Sequence, residues 1–151
     1  MIGVWVLLGA VALAAVAALA KRAVDGRFRA TGPAPISEHD GSSSSEESAE
    51  VLTAADIGGE LGSRLTFVQF SSSFCSPCRA TRALLSDVVR TRDGVEHVEV
   101  DAESHLELVR RLNILRTPTV LVVDPDGTVV GRASGLPRRE QVEAVLAQAD
   151  A

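Results

Sequence analysis

Hydrophobic and polar positions divide this chain into three stretches of different character. Ile2 to Ala20 is an unbroken run of apolar residues and glycines, IGVWVLLGAVALAAVAALA. As a helix it would extend about 28 Å, close to the hydrocarbon thickness of a bilayer, and no face of it is polar. A transmembrane helix is therefore expected over residues 1–20. The rival reading, a cleaved signal peptide, gains from Ala18-Leu19-Ala20 but lacks any Lys or Arg ahead of the apolar run. Lys21, Arg22, Arg27 and Arg29 follow the run, and cationic flanks tend to stay cytoplasmic, so a single-pass protein of the cell membrane with its folded part in the cytoplasm is expected, an extracytoplasmic domain being the alternative.

Residues 21–50 are expected to be a basic flank and a disordered linker. From Thr31 to Glu50 there are two prolines, a four-serine run, clustered acids and one large aliphatic residue, Ile36. Such a segment cannot bury enough apolar surface to offset its chain entropy. His39 falls here and is given no role.

From residue 51 onward the pattern is that of one folded domain, over 51–151. Leu65 to Phe70 is a β-prone apolar run suited to an interior strand, and a helix opening at Ser76 repeats Ala80, Leu84 and Val88 along one face. Val95 to Asp101 is a second strand. Ser104 with Glu107 predicts a capping box ahead of Leu108, Val109 and Leu112. Thr119 to Val123, the turn Asp124-Pro125-Asp126-Gly127, and Thr128 to Arg132 predict a β-hairpin. Pro137 opens a last helix with Val142, Val145, Leu146 and Ala149 at i, i+3, i+4, i+7. The order is βαβαββα, preceded by a short helix near Thr53 to Leu61, which implies an α/β domain with a mixed sheet covered by helices on both faces.

The two cysteines of the chain lie together in Cys75-Ser76-Pro77-Cys78, where the first strand runs into its helix. A dithiol at i and i+3 can close a small ring disulfide, and a helix N-terminus favours the first thiolate. Pro77 suits the opening turn because its missing N–H would have had no partner there. A bare CxxC could equally be half of a soft-metal site for copper(I) or zinc. Structural zinc would need about two further Cys or His ligands, and no second CxxC or paired histidine supplies them. No metal site and no cofactor are expected.

Charge narrows the partners. The net charge of −5 divides into +3 over residues 1–30, −5 over 31–50 and −3 over 51–151, so the folded part has no basic surplus for nucleic-acid phosphates. Nucleic acid is not an expected partner.

Over residues 51–149 the chain resembles the thioredoxin superfamily, and its layout is similar to that of a membrane-anchored bacterial thioredoxin-like protein. The resemblance rests on four features together: a strand feeding Cys75-Ser76-Pro77-Cys78, Arg79 directly after it, Thr117-Pro118-Thr119 before the hairpin, and Gly135 before the final helix. It implies a thioredoxin fold and a thiol–disulfide oxidoreductase that exchanges its Cys75–Cys78 pair with disulfide-containing proteins, chiefly as a disulfide reductase fed by an electron-donating reductase or dithiol carrier. Cys75 would be the nucleophile and Cys78 the resolving thiol. Substrate would be bound by Phe74, Ser76, Pro77, Arg116, Thr117, Pro118 and Gly135, beside a cis Thr117–Pro118 bond.

Departures from the family pattern change the site. Gln69 stands where a buried aspartate is usual, so the resolving thiol lacks its customary base. His97 aligns with a common lysine and is expected to be partly exposed and without chemistry. Phe74 and Ser71 replace tryptophans. Arg116 replaces a small or apolar residue, which predicts a preference for acidic partners. His105, after a predicted N-cap at Ser104, is expected to be solvated.

Overall fold

The computed structural model describes residues 10–16, 28–30 and 50–150. Residues 10–16 are helical (α1), and among the described residues no helix is long and apolar enough to cross a membrane. The remainder of the predicted span, and most of the predicted linker, lie outside the described residues.

The folded part begins earlier than expected. A short strand, β1 (Phe28–Ala30), precedes α2 (Ala54–Ile57), β2 (Leu65–Ser71), α3 (Ser76–Val89), β3 (Val95–Asp101), α4 (Leu106–Arg111), β4 (Thr119–Val123), β5 (Val129–Ser134) and α5 (Arg139–Ala149). These strands form one five-stranded sheet in the order β1-β5-β4-β2-β3. Only β2 and β3 are parallel; the other three pairings are antiparallel, giving the mixed sheet that the pattern predicts. Three residues are too few to show an alternating pattern, and Arg29 belonged by composition to the basic flank. What secures β1 is tertiary: it pairs with β5, and the Phe28 ring lies 6.3 Å from that of Phe67.

Side chains of β2 and β4 alternate between two cores. Phe67, Val120 and Val122 pack with Leu85 and Val88 of α3 and with Val142 and Leu146 of α5. Val68, Phe70, Leu121 and Val123 pack on the other face with Ile57, Leu108 and Leu112. The sheet is thus covered by α3 and α5 on one side and by α2 and α4 on the other. β2 is buried along its whole length, as its largely apolar run predicts, and takes the polar Thr66, Gln69 and Ser71 into the interior with it.

The structure corrects details of three predicted helices, although Leu84, Val88, Val142, Val145 and Leu146 pack into the core as expected. The buried stripe of α3 is Cys78, Thr81, Leu85 and Val88, with Ala80 exposed. The Ser104–Glu107 box does not form: the Ser104 hydroxyl donates to the Asp101 carboxylate, and α4 starts one residue later with His105 as N-cap. His105 bonds through Nδ1 to the Asp101 carbonyl at 2.9 Å. In α5, which opens at Arg139 rather than Pro137, Val142 and Leu146 are buried while Ala149 is exposed near the helix end. A capping box occurs instead at α2, where the Asp56 amide donates to Thr53 Oγ1 at 3.2 Å and the Thr53 amide donates to Asp56 Oδ2 at 2.8 Å.

Candidate active site at the end of β2

The interior strand β2 delivers the chain to one pole of the sheet, and the loop after Ser71 turns it into α3. Cys75 is the N-cap of that helix, with extended backbone (φ −93°, ψ 96°), and Pro77 lies in its first turn. Cys75 and Cys78 are joined as a disulfide across a Cα–Cα distance of 5.2 Å. The Cys75 sulfur accepts from the Cys78 amide at 3.1 Å. Once reduced, a Cys75 thiolate would keep that donor and the positive end of the fourteen-residue α3. Exposure separates the two sulfurs: Cys78 is 2% exposed, Cys75 is half-buried, and Phe74 beside it is 99% exposed.

The other predicted segment meets this one. Thr117–Pro118 is cis, as expected, and Ser72 Oγ lies 3.0 Å from Thr117 Oγ1, linking the loop before Cys75 to the loop before β4. Gly135 donates its amide to the Pro118 carbonyl at 2.7 Å and holds φ at +94°, a conformation that disfavours any side chain. A groove of about 390 Å³ follows, lined by Pro77, Arg116, Thr117, Pro118, Gly135, Leu136 and Arg138. Five of the predicted substrate residues therefore share one concavity. Phe74 and Ser76 stand exposed outside its lining.

A second hollow of the same size flanks the cysteines on their other side, lined in part by Ser71, Cys75, Cys78, Arg82, Glu99 and Asp101. Larger hollows occur elsewhere. One of about 530 Å³ between α5 and the β1–β5 side of the sheet, lined by Phe28, Val130, Val145 and others, holds no nucleophile or titratable group.

Beneath the disulfide, Gln69 is fully buried and fully engaged. Its Nε2 donates to Ser71 Oγ at 2.8 Å and to the Cys78 carbonyl at 2.9 Å, with Glu99 Oε1 at 3.4 Å. The Cys78 carbonyl and the Glu99 carboxylate can only accept, so the amide nitrogen must face them and Oε1 must face His97 Nε2, 3.2 Å away. His97 is therefore protonated at Nε2, and its Nδ1 faces the Ser86 hydroxyl at 3.4 Å. Burial pushes the imidazole below its ordinary value; nearby Glu99 opposes that shift and Arg82 adds to it. Burial pushes the Glu99 carboxyl up, but hydrogen bonds from Arg82 and Ser71 and the Arg82 charge bring it below the usual range.

Sequence reasoning missed Glu99, Arg82 and Ser72. Glu99 had a visible signal: it lies two residues from His97 on one face of β3, directly opposite Gln69 in the parallel register. The partner strand of β2 could not be known from the chain alone, so neither could that pairing.

Comparison with known proteins decides the family. Residues 51–150 match the family described as a thioredoxin-like domain. The chain belongs to that family. Human thioredoxin domain-containing protein 2 is 34% identical to this thioredoxin-like chain over 89 residues, 59% of the chain but 16% of the human protein. Listeria monocytogenes thioredoxin is 25% identical over 96 residues, 63% of the chain and 92% of the bacterial protein. Among solved structures, chloroplastic thioredoxin z superposes with a TM-score of 0.52 at 23% identity, covering 58% of this chain and 80% of that one. Schistosoma mansoni thioredoxin gives 0.50 at 24%, with the same coverage. These two likenesses show the thioredoxin fold. With a Cys-x-x-Cys pair at disulfide distance, the family supports thiol–disulfide oxidoreductase activity.

Proposed function

We propose that this chain is a protein-disulfide reductase anchored to the membrane by residues 2–20, with its thioredoxin-like domain on the cytoplasmic side. The observation that carries the reductase reading is the division of labour between two sulfurs: Cys75 is accessible at a helix N-terminus, and Cys78 is buried one turn on. The apolar run and the cationic flank after it support the anchor and its orientation.

In the forward direction the Cys75 thiolate attacks one sulfur of a partner's disulfide. A Cys75–partner disulfide forms and the partner's other sulfur leaves as a thiolate. Cys78 then gives up its proton and attacks Cys75, the Cys75–Cys78 bond forms, and the partner's second sulfur departs with that proton. The thiolate released first takes from solvent the proton that Cys75 gave up on ionising, so the partner gains two electrons and two protons and this chain is left oxidised. A dithiol carrier or reductase restores the two thiols.

An extended partner segment is bound in the groove of Pro77, Arg116, Thr117, Pro118 and Gly135, with Phe74 and Ser76 at its rim. The test is Cys78→Ser in the full chain: a covalent Cys75–partner adduct should accumulate and release on adding dithiothreitol. Absence of any adduct with a disulfide protein that the unsubstituted chain reduces would contradict the assignment of the two roles.

A further inference from the structure

We propose that the pole of the sheet bearing Cys75 faces the bilayer, so that the partners are integral membrane proteins whose disulfides lie at the membrane surface. This rests on the reading of residues 2–20 as a span, and it follows from the direction of β1. The register places Phe28 opposite Ala133, Ala133 opposite Val120, and Val120 opposite Gln69. β1 is antiparallel to β5, β5 to β4 and β4 to β2, so β1 starts at the pole where β2 ends. Ala30, its last residue, is opposite Gly131, toward the other pole.

The chain rejoins the domain at that other pole, where Val51 pairs with Thr128 and the Leu52 amide donates to the Gly127 carbonyl at 2.7 Å. Residues 31–49 therefore connect two parts of one domain. The tether to the apolar run is only the stretch between Ala20 and Phe28, which reaches at most about 28 Å. It joins the domain three strands from β2, about 14 Å across the sheet. The substrate groove, at the ends of β4 and β5, lies between that entry point and the disulfide.

The surface chemistry agrees. The groove is lined by Arg116 and Arg138, and Leu136 is 43% exposed there, beside a rim with Phe74 99% exposed. Cations and apolar side chains suit the anionic headgroup region. Asp101 and Glu103 are also at this pole, on the side of the cysteines away from β1: Asp101 ends β3 and lines the second hollow beside Cys75, and Glu103 accepts from Ser73 Oγ at 2.7 Å. The far pole has the acidic turn of Asp124 and Asp126, with Arg64 and Arg92 there paired to Asp150 and Glu143.

Fluorescence in vesicles tests the orientation. Trp5 is the single tryptophan, so in a Trp5→Phe background a Phe74→Trp change reports the near pole and Asp126→Trp the far one. The five residues of β4 set the poles about 17 Å apart. The full-length variants are reconstituted in phosphatidylcholine–phosphatidylglycerol vesicles carrying a lipid with a nitroxide headgroup. Both should float with the vesicles, with strong quenching in the Phe74→Trp variant and little in the Asp126→Trp variant. Adding Phe28→Asp, to undock β1, should reduce the difference. A peptide disulfide anchored to lipid by a short linker should be reduced as fast as one on a long linker. Flotation with equal or reversed quenching, or with the short-linked peptide spared, overturns the orientation and leaves the span standing. Failure to float overturns both.

Discussion

His97 Nε2 lies 3.2 Å from Gln69 Oε1, which fixes both the tautomer of the imidazole and the orientation of the buried amide. Gln69 then turns its two amide hydrogens toward Ser71, the Cys78 carbonyl and Glu99. An uncharged residue at this position thus remains wired to the helix that carries the resolving sulfur. It acts as a holder, since an amide takes no proton at ordinary pH.

Replacing the amide by a hydrocarbon tests the holder role. Gln69→Leu removes the partner of several buried groups at once and should destabilise the domain by about 2–3 kcal/mol, measured by urea unfolding of the oxidised protein. A loss no larger than that of an ordinary surface change would mean the network is slack.

Burial holds His97 below its ordinary value of 6.5, with Glu99 opposing and Arg82 reinforcing the shift. The unfolded chain therefore takes up a proton at a higher pH than the folded one. The contribution of His97 to stability is complete above the unfolded value and is lost as pH falls from there through the folded value. A decline starting near pH 6.5 should thus precede the acid loss from Asp56, Asp101 and Glu99, whose carboxyls are all held below their ordinary values. His97→Ala should flatten the first decline while leaving exchange rates close to those of the unsubstituted protein, because the imidazole bonds to Gln69 and Ser86 rather than to either cysteine. Urea midpoints across pH 5–8, taken with insulin-reduction rates, check both halves.

Phe28→Asp should cost about 1–2 kcal/mol by removing the ring that meets Phe67 and placing a carboxylate against apolar neighbours. The local signature is faster hydrogen exchange at Gly131 and Ala133, the β5 residues opposite β1. Unchanged exchange there would show that β1 adds nothing to the sheet.

Arg116→Glu reverses one of the two cations of the groove. Reduction of a disulfide peptide with acidic flanks should slow about fivefold or more, while a neutral peptide is reduced nearly as before, a difference of about 1 kcal/mol. Equal slowing of the two would remove charge as a determinant of partner choice.

The parts of this molecule visible in its sequence are those governed by local pattern. The largely apolar run of β2, the Asp-Pro-Asp-Gly turn of the hairpin and the Cys-x-x-Cys at a strand–helix joint each carry their own signal, and each lies where expected. Thr117, Pro118 and Gly135 were recognisable by family likeness, and the structure gathers them with Pro77 and Arg116 in one groove. What was hidden depends on partners distant in the chain. β1 exists through Phe67 and β5, the Ser104 hydroxyl is claimed by Asp101, and the meaning of Gln69 lies in residues of a neighbouring strand. Even the shift of the α3 stripe from Ala80 to Cys78 is set by how the helix is rolled onto the sheet.

The most direct measurement is thiol counting on the full chain after reductant and after oxidant, with limited alkylation to rank the two sulfurs. The account predicts two free thiols after dithiothreitol, none after oxidised dithiothreitol, and Cys75 alkylated well before Cys78. Two free thiols under both conditions, or Cys78 reacting first, would contradict it.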